Sequence, residues 1–387
     1  MQIKYNEKLK KLPPYLFVEI DKKKKAAIDR GVDIISLGIG DPDFATPEHI
    51  VKAAQTAIAK SSNQKYPFGA GMMSFRQAVS NWYRTRFNVA INPETEICSL
   101  IGSKEGIGHF HMGFVNPGDI VLIPEPGYPV YNTGTIFTDG IPYFMPLLKE
   151  NAFLPDLASI PENICKKAKI LFLNYPNNPT AATATKDFFK LVVDFAKKHN
   201  IIVAHDAAYS ELYYENKPIS FLEVPGAKDV GVEFHSLSKT YNMTGWRIGW
   251  VCGNKDVVKG ISAVKDNYDS GIFQAVQEAG IAALNGPQEC VERARKLYKE
   301  RRDTLVEGLN KIGWNVKKPE ATFYVWAPVP KGQTSAGTVS KLLDDAGIVC
   351  TPGNGLGPSG EGYIRFALTV DIPRIKEALS RLEKIKW

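Results

Sequence analysis

At 387 residues the chain exceeds one ordinary hydrophobic core, so two domains are expected. Its apolar fraction of 44% and charged fraction of 23% exclude a disordered or fibrous chain. A net charge of +7 suits anionic small molecules without demanding nucleic acid. No run of about 18 apolar residues occurs, so neither a membrane span nor a secretory leader is expected. The five cysteines, Cys98, Cys165, Cys252, Cys290 and Cys350, are scattered without a CxxC pair, which fits a reducing, cytoplasmic setting.

Residues 1–30 read as an arm and a short helix. The Lys22–Lys25 run is a solvated face without the interleaved aromatics of a single-strand binder. Leu12-Pro-Pro-Tyr15 is a stiff, extended piece. A strand is expected over Asp33–Gly40, in which Gly38 and Gly40 either turn the chain or let its amides approach a ligand. Thr46-Pro47-Glu48 predicts a helix start, with Thr46 as cap and Pro47 in the first helical position. Tyr66 precedes a glycine-rich loop ending at Gly71, and a helix is expected over 73–87. Ile101-Gly-Ser-Lys-Glu-Gly106 opens another helix that ends near Phe114. Free amides and the helix dipole could seat a phosphate there, although most such turns bind nothing. His109 and His111 are two apart, point to different faces and read as structural, so no metal is expected.

Strands are then expected over 119–124, 169–174, 201–206, 232–235 and 246–252, with a helix over 186–199. Near-continuous apolar strands separated by helices predict a three-layer α/β fold, its mainly parallel sheet covered on both faces. A ligand in such a fold lies beyond the carboxyl ends of the strands. Asn178, Asp206, Tyr209 and Lys239 all follow strand runs. A long helix over 288–312 carries an apolar stripe of Val291, Ala294, Leu297, Leu305, Leu309 and Ile312. Strands over 321–327 and 362–368 and helices over 338–346 and 372–386 complete a smaller α+β domain. The expected division is an N-terminal arm with part of the small domain (1–35), a large domain (36–287) and a small C-terminal domain (288–387).

The stretch from Phe234 to Trp250 carries the sharpest chemical signal. Lys239 stands among Ser236, Ser238 and Thr240, with Arg247 eight positions on. Burying a lysine is costly, and one use that offsets the cost is a Schiff base with a carbonyl cofactor such as pyridoxal 5′-phosphate (PLP). That chemistry also needs a carboxylate for the pyridine nitrogen, for which Asp206 is the candidate against an ordinary turn-capping role. It needs donors to the ring's phenolic oxygen, which Asn178 and Tyr209 can supply. Finally, it needs a clamp for the substrate's α-carboxylate. Arg365, alone in an apolar strand, suits a bidentate clamp or else an internal ion pair. Tyr128 could stack on the ring or be core.

Together, Asn177-Asn-Pro-Thr180, Asp206 with Tyr209, Ser236-Leu-Ser-Lys239, Arg247 and Arg365 resemble the fold-type I PLP aminotransferases of class I/II. The resemblance covers essentially the whole chain. It implies that Lys239 bonds the cofactor and that Asp206 pairs with the pyridinium. Tyr209 and Asn178 would face the phenolic oxygen, and Tyr128 the ring. Ser103, Lys104, Ser236, Ser238 and Arg247 would surround the phosphate. Arg365, Asn178 and the Gly40 backbone would hold the α-carboxylate, with Tyr15 also on the substrate side. Tyr66, reaching the phosphate of a neighbouring subunit, and Asn267, reaching the distal end of its substrate, would make the enzyme a homodimer with shared active sites. Leu37-Gly-Ile-Gly-Asp-Pro-Asp43, Asn174–Thr180 and Phe234–Gly249 are most similar to the LL-diaminopimelate aminotransferases. These move an amino group to 2-oxoglutarate on the lysine and cell-wall route. Two departures stand out: Ala181 replaces a glycine common in class I/II, and Gly69-Ala70 lacks a glutamate that some members use on the distal ammonium. Alternatives on the same fold are aspartate, alanine or methionine transamination, C–S lysis and a regulator without activity.

Overall fold

The computed structural model describes residues 1–67 and 69–387, so Phe68 of the loop after Tyr66 lies outside the described residues. After a short first strand, β1 (Ile35–Ser36), seven strands form the central sheet. They are β2 (Ile97–Leu100), β3 (Ile120–Glu125), β4 (Ile141–Pro146), β5 (Ala168–Asn174), β6 (Ile202–Asp206), β7 (Gly231–Ser236) and β8 (Gly249–Gly253). Their spatial order is β2-β8-β7-β6-β5-β3-β4. β8 runs antiparallel to both of its neighbours and the remaining pairs are parallel, so the sheet is mixed but mainly parallel.

The apolar strands are continuous because both faces are covered, and alternate residues feed opposite cores. Leu122, Leu171, Leu173 and Val203 join one core, with Tyr83 of the Met73–Phe87 helix and Phe188 and Val192 of the Lys186–His199 helix. Val121, Ile123, Ile170, Phe172 and Ala204 join the other, with Ile107 and Phe110 of the Ser103–Phe114 helix and Ile261 of the Lys255–Tyr268 helix. Each fully buried side chain of this kind contributes roughly 1.5–3 kcal/mol against exposure. The same alternation turns His205 away from Asp206, to a buried contact of 2.7 Å with Glu233.

A third core lies over the antiparallel sheet of β9 (Tyr324–Pro328), β11 (Thr351–Pro352) and β12 (Tyr363–Ala367), with β12 in the centre. Leu305, Val306 and Leu309 of the Glu289–Lys311 helix and Ile375, Ala378 and Leu382 of the Ile372–Leu382 helix pack into it. Ile35 and Leu37 belong to this core too, because β1 pairs in parallel with β10 (Ile348–Val349). The chain therefore leaves the C-terminal core at Leu37 and enters the cleft between the two sheets.

Several local expectations need correction. The Asp33–Gly40 strand shrinks to two residues. Thr46 does not cap the Glu48–Ile58 helix: Pro47 occupies the N-cap position, and the Thr46 hydroxyl donates to the Asn242 carbonyl at 2.8 Å. The strand expected from Trp246 begins only at Gly249, since Thr244–Trp246 form a 3-10 turn and Arg247 is left-handed at φ 54°. On the long helix, Leu297 and Ile312 are only half-buried, while Tyr298, Arg301 and Arg302 are buried. The two arginines tolerate burial because Arg301 forks onto Asp43 at 2.7 Å and Arg302 onto Glu215 at 3.2 Å. β2 and β4 were not expected, the first being short and the second an exposed edge strand with two prolines.

Candidate active site

The carboxyl ends of β5, β6 and β7, the N-terminus of the Ser103–Phe114 helix and β12 surround a cavity of about 350 Å³. Lys239 lies in a short helix just past β7, and its Nζ donates to the Gly40 carbonyl at 2.8 Å. Burial lowers its pKa to about 8; Asp41 opposes this shift, and Arg365 and Arg247 add to it. The side chain is therefore a substantially neutral, nucleophilic amine near pH 8.

Asp206 ends β6 and is 5% exposed. Tyr131 donates to its Oδ2 at 2.8 Å, and the Ala208 amide to Oδ1 at 3.3 Å. Burial pushes its pKa up, and the Tyr131 hydrogen bond works against that. Asn174, in register with Asp206 on β5, donates to the Asp206 carbonyl at 2.7 Å and accepts the Asn178 amide at 2.8 Å. One asparagine thus ties the Asp206 strand end to the Asn177–Thr180 turn. Tyr209 belongs to the core of the small antiparallel sheet, with its hydroxyl 3.0 Å from that of Tyr324.

At the other wall, β12 carries Arg365, whose side chain is completely buried. It donates to Asn178 Oδ1 at 2.7 Å, the Gly38 carbonyl at 2.8 Å and Thr351 Oγ1 at 3.2 Å. Its guanidinium stacks 4.3 Å from the Tyr324 ring centre. Its Nε has no hydrogen-bond partner, and among the described residues no carboxylate lies within ion-pair distance of it. A buried cation without an anion is costly, which marks a position for a ligand carboxylate.

A second anion seat lies at the turn before the Ser103–Phe114 helix. Gly102 has φ 75°, and a Cβ there would sit 2.2 Å from an Arg247 Nη. The Arg247 guanidinium donates to the Thr244 carbonyl at 2.8 Å and has no carboxylate partner among the described residues. Ser236 accepts the Ser238 amide at 3.1 Å, so both hydroxyl residues turn into the same cavity. Glycine is equally required at Gly249, where a Cβ would lie 2.3 Å from the His235 carbonyl. Lys104 reaches the Tyr15 hydroxyl at 3.3 Å, and Tyr128 lies edge-on to Tyr131 at 6.0 Å between ring centres.

Of the expected residues, Tyr15, Gly40, Ser103, Lys104, Tyr128, Asn178, Asp206, Tyr209, Ser236, Ser238, Lys239, Arg247 and Arg365 line this one cavity. Tyr66 and Asn267 do not. Tyr66 is 77% exposed, and Asn267 donates to the Ala263 carbonyl at 2.8 Å on the outer side of its helix. Sequence reasoning missed Phe17, Asp41, Asn174, Thr244 and Tyr324, which also line it, and Tyr131 behind it. Tyr131 had one usable signal, since it follows Tyr128 by three residues at a helix start and so shares its side. Tyr324 had none, because Gly40, whose Cβ would collide with its hydroxyl at 2.0 Å, is remote in sequence.

A nucleophilic amine, a buried carboxylate, an aromatic wall, a cradle of hydroxyls, a helix N-terminus and an arginine, and a second buried arginine fit a phosphorylated pyridine aldehyde with an amino acid beside it. The profile of the aminotransferase class I and II family matches residues 32–382. The LL-diaminopimelate aminotransferase of Aquifex aeolicus is 57% identical over 99% of both chains. The substrate-bound structure of BacF from Bacillus subtilis superposes with a TM-score of 0.96 at 38% identity, covering 99% of this chain and 98% of that one. An aspartate aminotransferase mutant of Thermus thermophilus does so with a TM-score of 0.92 at 28% identity, over 99% of this chain and 100% of that one. No helix among the described residues is long and apolar enough to cross a membrane. Cavity and comparisons agree: the chain belongs to the class I and II aminotransferases, enzymes that work with pyridoxal 5′-phosphate.

Proposed function

We propose that the enzyme transfers an amino group between LL-diaminopimelate and 2-oxoglutarate. The observation that carries the cavity's reading as a site for amino and 2-oxo acids is Arg365, fully buried in the same cavity as the half-buried amine of Lys239 and, among the described residues, without a carboxylate partner. The 57% identity to the Aquifex aeolicus enzyme over nearly the whole chain supports the choice of diaminopimelate.

When bound, PLP supplies an electron sink for the charge left at the substrate's Cα. In this reading Lys239 holds the cofactor and then moves the Cα proton, which its lowered pKa permits near neutral pH. Asp206 keeps a proton on the ring nitrogen, aided by a buried setting in which the charge pair is strong. Tyr209 and Asn178 orient the phenolic side, and Tyr128 packs on the ring. The helix amides at Ser103 and Lys104, the hydroxyls of Ser236 and Ser238 and the Arg247 guanidinium hold the phosphate. Arg365 takes the α-carboxylate in a fork, with Asn178 and the Gly40 backbone beside it. Tyr15 stands on the substrate side at the cavity mouth. The segments 36–287 and 288–387, joined through the strap at Leu37, act as the two domains that enclose the substrate. Tyr66 and Asn267 serve the second subunit's site, so the working unit is a homodimer in the cytoplasm.

The test is a half-reaction screen. Single amino acids are added to PLP-loaded enzyme, and conversion of the cofactor to its amino form is followed by visible absorbance. LL-diaminopimelate is expected to react fastest. Aspartate, alanine or methionine reacting in its place would overturn the substrate, and pyruvate release from cystathionine without an acceptor would point to lysis.

A further inference from the structure

A second ionic cluster lies behind the phosphate cradle, on residues to which the site assigns no role. Lys265, on the Lys255–Tyr268 helix, has a side chain with no solvent exposure. Its Nζ donates to Glu105 Oε1 at 2.6 Å and to the two Asp269 oxygens at 3.1 and 3.2 Å. His109 adds Nδ1 at 2.8 Å from the same Glu105 oxygen. The ligand atoms of Glu105, His109 and Asp269 all lie within 4.8 Å of one another, the spacing of a cation site. The cation in this arrangement is the lysine's own ammonium. Burial works to lower the Lys265 pKa, but Glu105 and Asp269 more than reverse that, so it stays charged.

Glu105 is the third residue of the Ser103–Phe114 helix, directly after Ser103 and Lys104, which line the cavity at the phosphate cradle. Its other oxygen, Oε2, accepts the Ile101 amide at 3.1 Å and so fixes the turn Ile101–Glu105. A carboxylate in this position is good for an empty helix start and bad for one that holds a phosphate dianion, because the two negative charges repel. Resting on the reading of this turn as the phosphate seat, we infer that Lys265 is a positioning residue for the cofactor: by neutralising Glu105 and anchoring it, Lys265 lets the Ile101–Glu105 turn keep its shape and still accept a phosphate.

The discriminating measurement compares two ligands of the apoenzyme, pyridoxal 5′-phosphate and phosphate-free pyridoxal, titrated by visible absorbance and tryptophan fluorescence. Lys265→Met is expected to weaken PLP binding about tenfold and leave pyridoxal binding unchanged. The double variant Glu105→Gln/Lys265→Met is expected to recover most of the loss. Equal weakening of both ligands, or none, overturns the inference. If Lys265→Met does not fold, Glu105→Gln alone decides: it keeps an acceptor for Ile101 and removes the charge, so PLP should bind at least as tightly as to wild type, and weaker binding overturns the inference. Arg247→Gln separates the two layers of the argument. If it loses PLP selectively while Lys265→Met does not, only the role of Lys265 falls. If Arg247→Gln also weakens both ligands equally, the phosphate seat falls with it.

Discussion

Asp206 and Arg365 are both buried, both charged in ordinary water and both at the wall of one cavity, yet the protein treats them oppositely. Asp206 is satisfied from within, by the Tyr131 hydroxyl and the Ala208 amide. Among the described residues Arg365 has only neutral acceptors, and its Nε has none. The first group is built in advance for a partner that stays, as a cofactor does. In the proposed function the second holds its cost open until the substrate's carboxylate arrives. The difference teaches which wall is scaffold and which is receptor.

The sharpest way to break this comparison is to remove each charge in turn. Arg365→Met is expected to cost about 2–4 kcal/mol of carboxylate-substrate binding, read as a rise in KM or in the dissociation constant of a dicarboxylate inhibitor. The same change should leave the unliganded protein no less stable in a denaturant titration, since an unpaired buried cation is lost. A stability loss above about 2 kcal/mol would show that Arg365 is structural. Asp206→Ala should do the reverse in the apoenzyme and destabilise it by about 1–3 kcal/mol, because the buried Tyr131 hydroxyl loses its acceptor.

A pH experiment sharpens the contrast at Lys239. Its pKa of about 8 lies below the ordinary lysine value of 10.5, so the neutral amine becomes dominant as pH rises through 8, not through 10.5. The rate of PLP capture by apoenzyme is expected to increase with pH and level off above that point. Asp41 raises this pKa, so Asp41→Asn should move the inflection to lower pH. An unchanged or upward shift would count against Asp41 as the opposing charge. The smallest effect is expected at Ala181, which is left-handed at φ 58°. Ala181→Gly should add up to about 1 kcal/mol of stability without changing substrate preference, because glycine adopts that region without the Cβ penalty.

The sequence was most readable where a polar residue breaks an apolar strand or follows its end. Asp206, Lys239 and Arg365 stand out for that reason, and the helices over 73–87 and 186–199 agree with the structure residue for residue. Residues whose role depends on register or on a distant neighbour were not readable. Asn174 matters because β5 and β6 pair it with Asp206. Tyr324 matters because a glycine 284 positions upstream leaves room for its hydroxyl. The reversal of β8 was hidden as well, since a buried strand reads alike in either direction. Lys265 looked like any helical lysine, its two carboxylates being brought in by a neighbouring helix and by the following turn.

The strap that crosses the cleft has one more consequence. Gly38 offers its carbonyl to Arg365, and Gly40 offers its own to Lys239. Both contacts come from the main chain, so they do not depend on which side chains the strap carries. Ile39, which lines the cavity between them, is therefore free to drift without displacing either charge. Laboratory evolution of new substrate preferences could begin at this position, with a saturation library whose members all inherit the same catalytic frame.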